Sequence, residues 1–265
     1  MSTEDMSTED TSLDQFSLEG RVVLVTGSSR GIGRALATAC AQAGAHVVIN
    51  ARSGDAVAQA VEELTTQGLT AHGRPCDLTD DVAVEAMVAS IESDIGPIAG
   101  LVNNAGMQDR GPLVDFEIDR FRNLLELNLV APFTVSKYVA RGMVERRAGR
   151  IVNIGSVQSQ LGRPTIIPYT ASKGGVVLMT RGMCAELGPM GLQVNCVSPG
   201  YFETELTEAL VNDDEFSAWV SDRTPAGRWG KVEELGGAVV FLLSDAASFV
   251  NGQTLYVDGG MTAVV

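Results

Sequence analysis

A doubly wound α/β domain built on one parallel sheet is the fold this sequence predicts, on three observations. Short β-branched runs alternate with longer amphipathic segments from Arg21 onward. The runs, such as Val-Val-Leu-Val at 22–25 and Ile-Val-Asn-Ile at 151–154, are nearly continuous in apolar character, as strands covered by helices on both faces require. A glycine-rich turn links the first run to the first amphipathic segment.

Taken in order, strands are expected at 22–26, 46–50, 71–76, 101–103, 150–154, 193–197 and 254–257, about seven in all. Helices are expected near 31–43, 55–67, 81–94, 118–146, 168–187 and 231–243. No composition break divides residues 17–265, which read as a single domain. Residues 1–16 open with Met-Ser-Thr-Glu-Asp twice over, polar and acidic with nothing to bury, and are expected to be a disordered tail. One segment, about 200–230, breaks the rhythm with Tyr201, Phe202, Phe216, Trp219 and Thr-Pro-Ala-Gly-Arg-Trp-Gly, and is where a lid over a binding site would be placed. Gly174 and Gly175 sit inside an expected helix. There each costs up to about 1 kcal/mol relative to alanine, so a close backbone approach is expected.

Composition narrows the function. With 265 residues, 45% of them hydrophobic, the chain has ample material for a core, and no run of about 18 apolar residues is present to span a bilayer. Its acidic start is the opposite of a signal peptide's basic one, so a cytoplasmic home is expected. A net charge of −14 argues against nucleic acid or an anionic membrane as partner. Cys40, Cys76, Cys184 and Cys196 show no paired spacing and read as buried free thiols. The two histidines, His46 and His72, lie near strand starts, so neither a metal site nor a histidine triad is expected.

The chemistry then falls to two regions. After the first strand, Thr26-Gly27-Ser28-Ser29-Arg30-Gly31-Ile32-Gly33 opens a helix, where glycines let backbone approach a pyrophosphate and the helix N-terminus offers free N–H groups. The second strand ends in Ala51-Arg52, where an NAD site would place a carboxylate. Arg30 and Arg52 without that carboxylate suit a 2′-phosphate, favouring NADP over NAD. Asp77, followed by Leu78, would reach the adenine edge, and in Asn103-Asn104-Ala105-Gly106 the glycine admits backbone close to the cofactor. In the second region, Tyr169 and Lys173 are four apart on an expected helix, so an ammonium beside the phenol can lower its pKa.

These residues, with Ser156 thirteen positions before Tyr169 and Pro199-Gly200 followed by Thr204, resemble the short-chain dehydrogenase/reductase family in order and spacing. The resemblance implies a Rossmann-type fold and NADP-dependent hydride transfer to or from a secondary alcohol carbon. By it Tyr169 is the general acid/base, Ser156 bonds the substrate oxygen, Lys173 binds the nicotinamide ribose, and Asn128 holds a water on the proton route. Pro199, Gly200, Phe202 and Thr204 match the segment around the nicotinamide, and a homotetramer is the family's common assembly.

Within the family, Asn50-Ala51-Arg52, 108–113, 161–165 and 224–230 look like the gluconate 5-dehydrogenase subgroup, which implies gluconate and 5-ketogluconate as substrates. Gln108, Arg110, Gln158 and Arg163 form a polar set suited to a hydroxylated acid, while Tyr201, Phe202 and Trp219 could instead line an apolar pocket. A 3-oxoacyl-carrier-protein reductase would share the catalytic residues but needs a basic patch, to which Arg120 and Arg122 could contribute. A silent NADP-binding regulator need not keep all four catalytic side chains.

Overall fold

The computed structural model describes residues 13–205 and 207–265. The tail expected over 1–16 thus lies outside the described residues except at its end, where Asp14–Phe16 form a 3-10 turn and the Phe16 ring packs 6.2 Å from that of Phe241. Nine strands are described: β1 (Val22–Val25), β2 (His46–Ile49), β3 (Ala71–Gly73), β4 (Ile98–Asn103), β5 (Gly149–Ile154), β6 (Leu192–Pro199), β7 (Phe202–Glu203), β8 (Gly230–Lys231) and β9 (Thr254–Val257). Seven form one parallel sheet in the order β3-β2-β1-β4-β5-β6-β9, and β7 pairs with β8 apart from it.

The helices are α1 (Gly31–Gln42), α2 (Gly54–Thr66), α3 (Asp81–Asp94), α4 (Ile118–Leu125), α5 (Ala131–Arg146), α6 (Ile167–Leu187), α7 (Glu208–Val211), α8 (Asp214–Arg223) and α9 (Gly236–Leu243). Side-chain alternation along β1 divides the core. Val23 and Val25 pack with Leu36, Cys40, Leu64 and Val239 of α1, α2 and α9, whereas Val22 and Leu24 pack with Val84, Ile91, Val135 and Met143 of α3 and α5. Because the sheet extends in opposite directions from β1 and β4, their C-terminal ends open a crevice, the place where this architecture binds ligands.

One expectation needs correction. The single helix over 118–146 is two, α4 and α5, separated by a wide π turn at Glu126–Val130 that carries Asn128 inward. The 200–230 segment holds α7 and α8, the latter started by Asp213, whose carboxylate accepts from the Phe216 amide at 3.0 Å. The paired glycines also part company. A Cβ on Gly175 would lie 3.0 Å from the Leu129 side chain, while one on Gly174 meets nothing within 4 Å.

Candidate active site

At the nucleotide end the first glycine turn packs backbone to backbone against the turn after β4. Gly27 and Gly31 take φ of +62° and +57°, and a Cβ on Gly27 would stand 2.8 Å from the Cα of Ala105. A Cβ on Gly33 would collide with the Gly27 carbonyl and the Asn104 amide. Asn104 fastens the two turns, donating from Nδ2 to the carbonyls of Thr26 and Gly27 at 2.9 and 3.1 Å. The N-cap residue Arg30 makes no side-chain cap bond to α1, which leaves the helix's first amides for a ligand, and the cradle fits a dinucleotide's pyrophosphate.

The neighbouring strand end offers no carboxylate. It reads Asn50-Ala51-Arg52-Ser53, with Arg52 exposed and the Ser53 hydroxyl capping α2 by accepting from Ala56 at 3.3 Å. Arg30 lies 3.7 Å from Glu205, both exposed, a pairing worth little in water that an anionic ligand can displace. This donor set fits a ribose 2′-phosphate. Asp77 accepts from the Thr79 amide and hydroxyl at 3.0 and 2.8 Å, which holds its carboxyl below the usual range, while Leu78 is buried beside it.

Beyond the glycine turn, Ser156 follows β5 and its Oγ accepts from the Gln158 amide at 3.1 Å. Tyr169 and Lys173 share one face of α6, with the amine 5.6 Å from the phenol ring centroid. Lys173 is buried, and its Nζ donates to the Ile154 carbonyl at 2.8 Å. Burial pushes its pKa down to about 8. The Tyr169 pKa is not lowered in the protein alone, contrary to expectation. Burial pushes the phenol up, outweighing the Ser156 hydrogen bond that draws it down. The lysine donates a hydrogen bond to a main-chain carbonyl and faces the ring, so desolvation decides the sign.

Asn128 lies behind the cavity wall. Its Oδ1 accepts from the Met107 amide at 2.8 Å, and its Nδ2 donates to the Met107 carbonyl at 2.9 Å and to Ser172 Oγ at 3.2 Å. It thereby ties the 104–107 turn to the helix bearing Tyr169. Of the other site residues nominated from the sequence, all but Trp219 line one cavity of about 790 Å³, from Gly27, Ser29 and Ile32 past Ala105, Gly106, Pro199, Gly200, Phe202 and Thr204 to the substrate candidates, while Trp219 packs against the Tyr201 ring.

At that far end, Gln158 is 7% exposed and its Oε1 has no hydrogen-bond partner among the described residues, leaving an acceptor for a hydroxyl. Burial and the charge of Arg163 together push the Arg110 pKa down. Arg163 donates to the Tyr201 hydroxyl at 3.2 Å, and Tyr201 meets Phe216, Trp219 and Trp229 edge-on at 5.6–5.7 Å. Gln108 also lines this end. Sequence reading missed Asn50, Ser53, Met107 and Ile166, which line the cavity too. For Ser53 a signal existed, a serine between strand and helix; the others are brought there by tertiary packing alone.

Residues 27–262 match the family model described as enoyl-(acyl carrier protein) reductase. The gluconate 5-dehydrogenase of Gluconobacter oxydans is 53% identical over 249 residues, covering 94% of this chain and 97% of that protein. The 5-keto-D-gluconate 5-reductase of Escherichia coli is 50% identical over 252 residues, covering 95% and 99%. The crystal structure of a gluconate 5-dehydrogenase from Burkholderia cenocepacia, in complex with NADP and tartrate, superposes with a TM-score of 0.94 at 50% identity, covering 96% of this chain and 100% of that one. Ordered motifs, sheet topology and these likenesses agree: the chain belongs to the short-chain dehydrogenase/reductase family.

Proposed function

We propose that the chain is an NADP-dependent oxidoreductase that interconverts a secondary alcohol and a ketone of a sugar acid, gluconate and 5-ketogluconate foremost. The observation that carries this is the pair Arg110 and Arg163 in the cavity that Tyr169 also lines, neither held by a carboxylate among the described residues. Two guanidinium groups at the far end of a cavity call for an anionic substrate. The Gln158 acceptor calls for a hydroxylated one. The named activities of the Gluconobacter and Escherichia relatives support the same reading.

Bound NADP supplies a hydride acceptor and a positive charge, and NADPH the hydride donor. Residues 27–33 would hold its pyrophosphate, Arg30, Arg52 and Ser53 its 2′-phosphate, Asp77 and Leu78 the adenine, Lys173 the nicotinamide ribose, and Pro199, Gly200, Phe202 and Thr204 the nicotinamide end. In the reducing direction Tyr169, protonated at neutral pH as an ordinary phenol is, gives its proton to the substrate oxygen. Ser156 donates to that oxygen as negative charge builds on it. In oxidation Tyr169 must first lose its proton, which the positive charges of Lys173 and of bound NADP would favour, and the phenolate oxygen then takes the hydroxyl proton. Asn128 keeps the 104–107 turn and α6 in register.

The basic patch a carrier-protein reductase would need is neutralised. Arg120 pairs with Asp109, and Arg122 with Asp119 at 2.8 Å. A homotetramer is supported by exposed Ile118, Val130, Phe133 and Leu178 on and between α4, α5 and α6, and by Phe249, Leu255 and Val265 near the edge strand. Sedimentation at the mass of one chain would contradict it. Four free cysteines suit the reducing cytoplasm, and no helix among the described residues is long and apolar enough to cross a membrane.

NADPH absorbance tests the reading against 5-ketogluconate, an acetoacetyl thioester and an apolar ketone. The fastest loss is expected with 5-ketogluconate. A preference for the thioester would overturn the sugar-acid reading, and activity on none would restore the silent regulator.

A further inference from the structure

Arg163 belongs to two structures at once. It lines the substrate end of the cavity near Arg110, and its guanidinium donates to the Tyr201 hydroxyl at 3.2 Å while lying 5.0 Å over the Phe216 ring of α8. Tyr201 packs edge-on against Trp219 of α8 and against Trp229, whose Nε1 donates to Ser217 at 2.7 Å. The loop carrying Arg163 is itself braced. Thr165 takes a left-handed φ of 68°, rare for a β-branched residue, and its carbonyl accepts from the Gly111 amide at 3.0 Å, next to Arg110. So α8 is fastened to the loop leading into Tyr169 through a guanidinium that also faces the substrate.

We propose that Arg163 couples the substrate's carboxylate to the seating of α8. A carboxylate between Arg110 and Arg163 offsets the repulsion of the two charges and competes with Tyr201 for the Arg163 N–H groups. Guanidinium has five donors in a rigid fork, so it can turn two of them to the carboxylate while its face stays on Phe216. Tyr201 and the aromatic face of α8 then reseat against the bound acid. Tyr201 and Tyr169 line the same cavity, so a reseated Tyr201 changes the wall that faces the proton-transfer site. This coupling rests on the sugar-acid reading and adds that an acid is turned over faster, not only bound more tightly, than a neutral polyol.

Both tryptophans of the chain, Trp219 and Trp229, lie in this cluster, so intrinsic emission reports on it. The full chain carrying Tyr169→Phe, loaded with NADP and unable to turn over, is titrated with gluconate and with glucitol, by emission and by calorimetry. Gluconate is expected to change emission with the midpoint of its binding heat, and glucitol to leave it unchanged. Adding Arg163→Lys, which keeps the charge but loses the fork, should keep gluconate affinity within about 10-fold while removing the emission change. In the Tyr169→Phe background, Phe216→Leu tests the same link from the other side and should also remove it. In otherwise wild-type protein both variants should lower kcat by about 10-fold with a smaller change in KM. Binding heat without an emission change, or a full emission change retained in Arg163→Lys, overturns the coupling alone. Absence of gluconate heat overturns the sugar-acid reading and the coupling with it.

Discussion

The two ends of the cavity are built from different material. At the nucleotide end main chain meets main chain, with Gly27 against Ala105 and Gly33 against Gly27, where no added methyl group fits. At the substrate end, side chains from three separate segments converge, Gln108 and Arg110, Gln158 and Arg163, then Tyr201 on the aromatic face of α8. The first is a fixed socket whose shape is the backbone's own. The second can be changed one side chain at a time without disturbing the sheet, which is how one scaffold serves many alcohols.

Substitutions should separate the two ends. Tyr169→Phe, at the junction, should cut turnover by about 10³-fold or more while NADPH affinity, read by fluorescence titration, changes less than about twofold. Measurable retained turnover would break the assignment. Gly33→Ala should weaken NADPH binding by about 100-fold or more, since the methyl can be admitted only by parting the two turns. Ordinary binding in that variant would show that the socket yields. Arg52→Asp, restoring a carboxylate at the end of β2, should shift the kcat/KM ratio for NADP over NAD by about 100-fold toward NAD, leaving the substrate preference intact.

A fourth prediction concerns Lys173, whose folded pKa of about 8 lies below its ordinary 10.5. Between these values the unfolded chain binds more protons than the folded one, so this residue makes stability rise with pH through that window. Its contribution is least favourable below about pH 8, where the folded protein must hold a buried ammonium. Urea unfolding of Lys173→Met should lack that slope, and an unchanged slope would place the titration elsewhere. The smallest effect is at Thr165, whose φ of 68° asparagine tolerates better. Thr165→Asn should raise stability by about 1 kcal/mol in the same assay.

What sequence could reveal follows the same division. Strand positions came from local apolar runs, and the cofactor and catalytic motifs from fixed spacings around strand ends, because there the chain itself sets the geometry. The π turn at 126–130 was hidden in an unbroken helical pattern, since it depends on Asn128 reaching Met107 and Ser172. Helix α8 was hidden because Phe216 and Trp219 find their apolar face in Tyr201 and Trp229 rather than in the sheet. The raised Tyr169 pKa was also invisible, because spacing showed the nearby amine but neither its bond to Ile154 nor the burial of the phenol. Arg110 and Arg163 could be named but not joined, for their meeting depends on two loops tied through Gly111 and Thr165.

The central claim is direct hydride transfer between the nicotinamide and the fifth carbon of the sugar acid, at the oxygen facing Tyr169 and Ser156. It is tested most directly by incubating the protein with 5-ketogluconate and NADPH dideuterated at the nicotinamide C4, then locating deuterium in the gluconate formed. One deuterium at the fifth carbon and none elsewhere is expected, whereas gluconate formed without label there, or no gluconate at all, would contradict hydride transfer to that carbon.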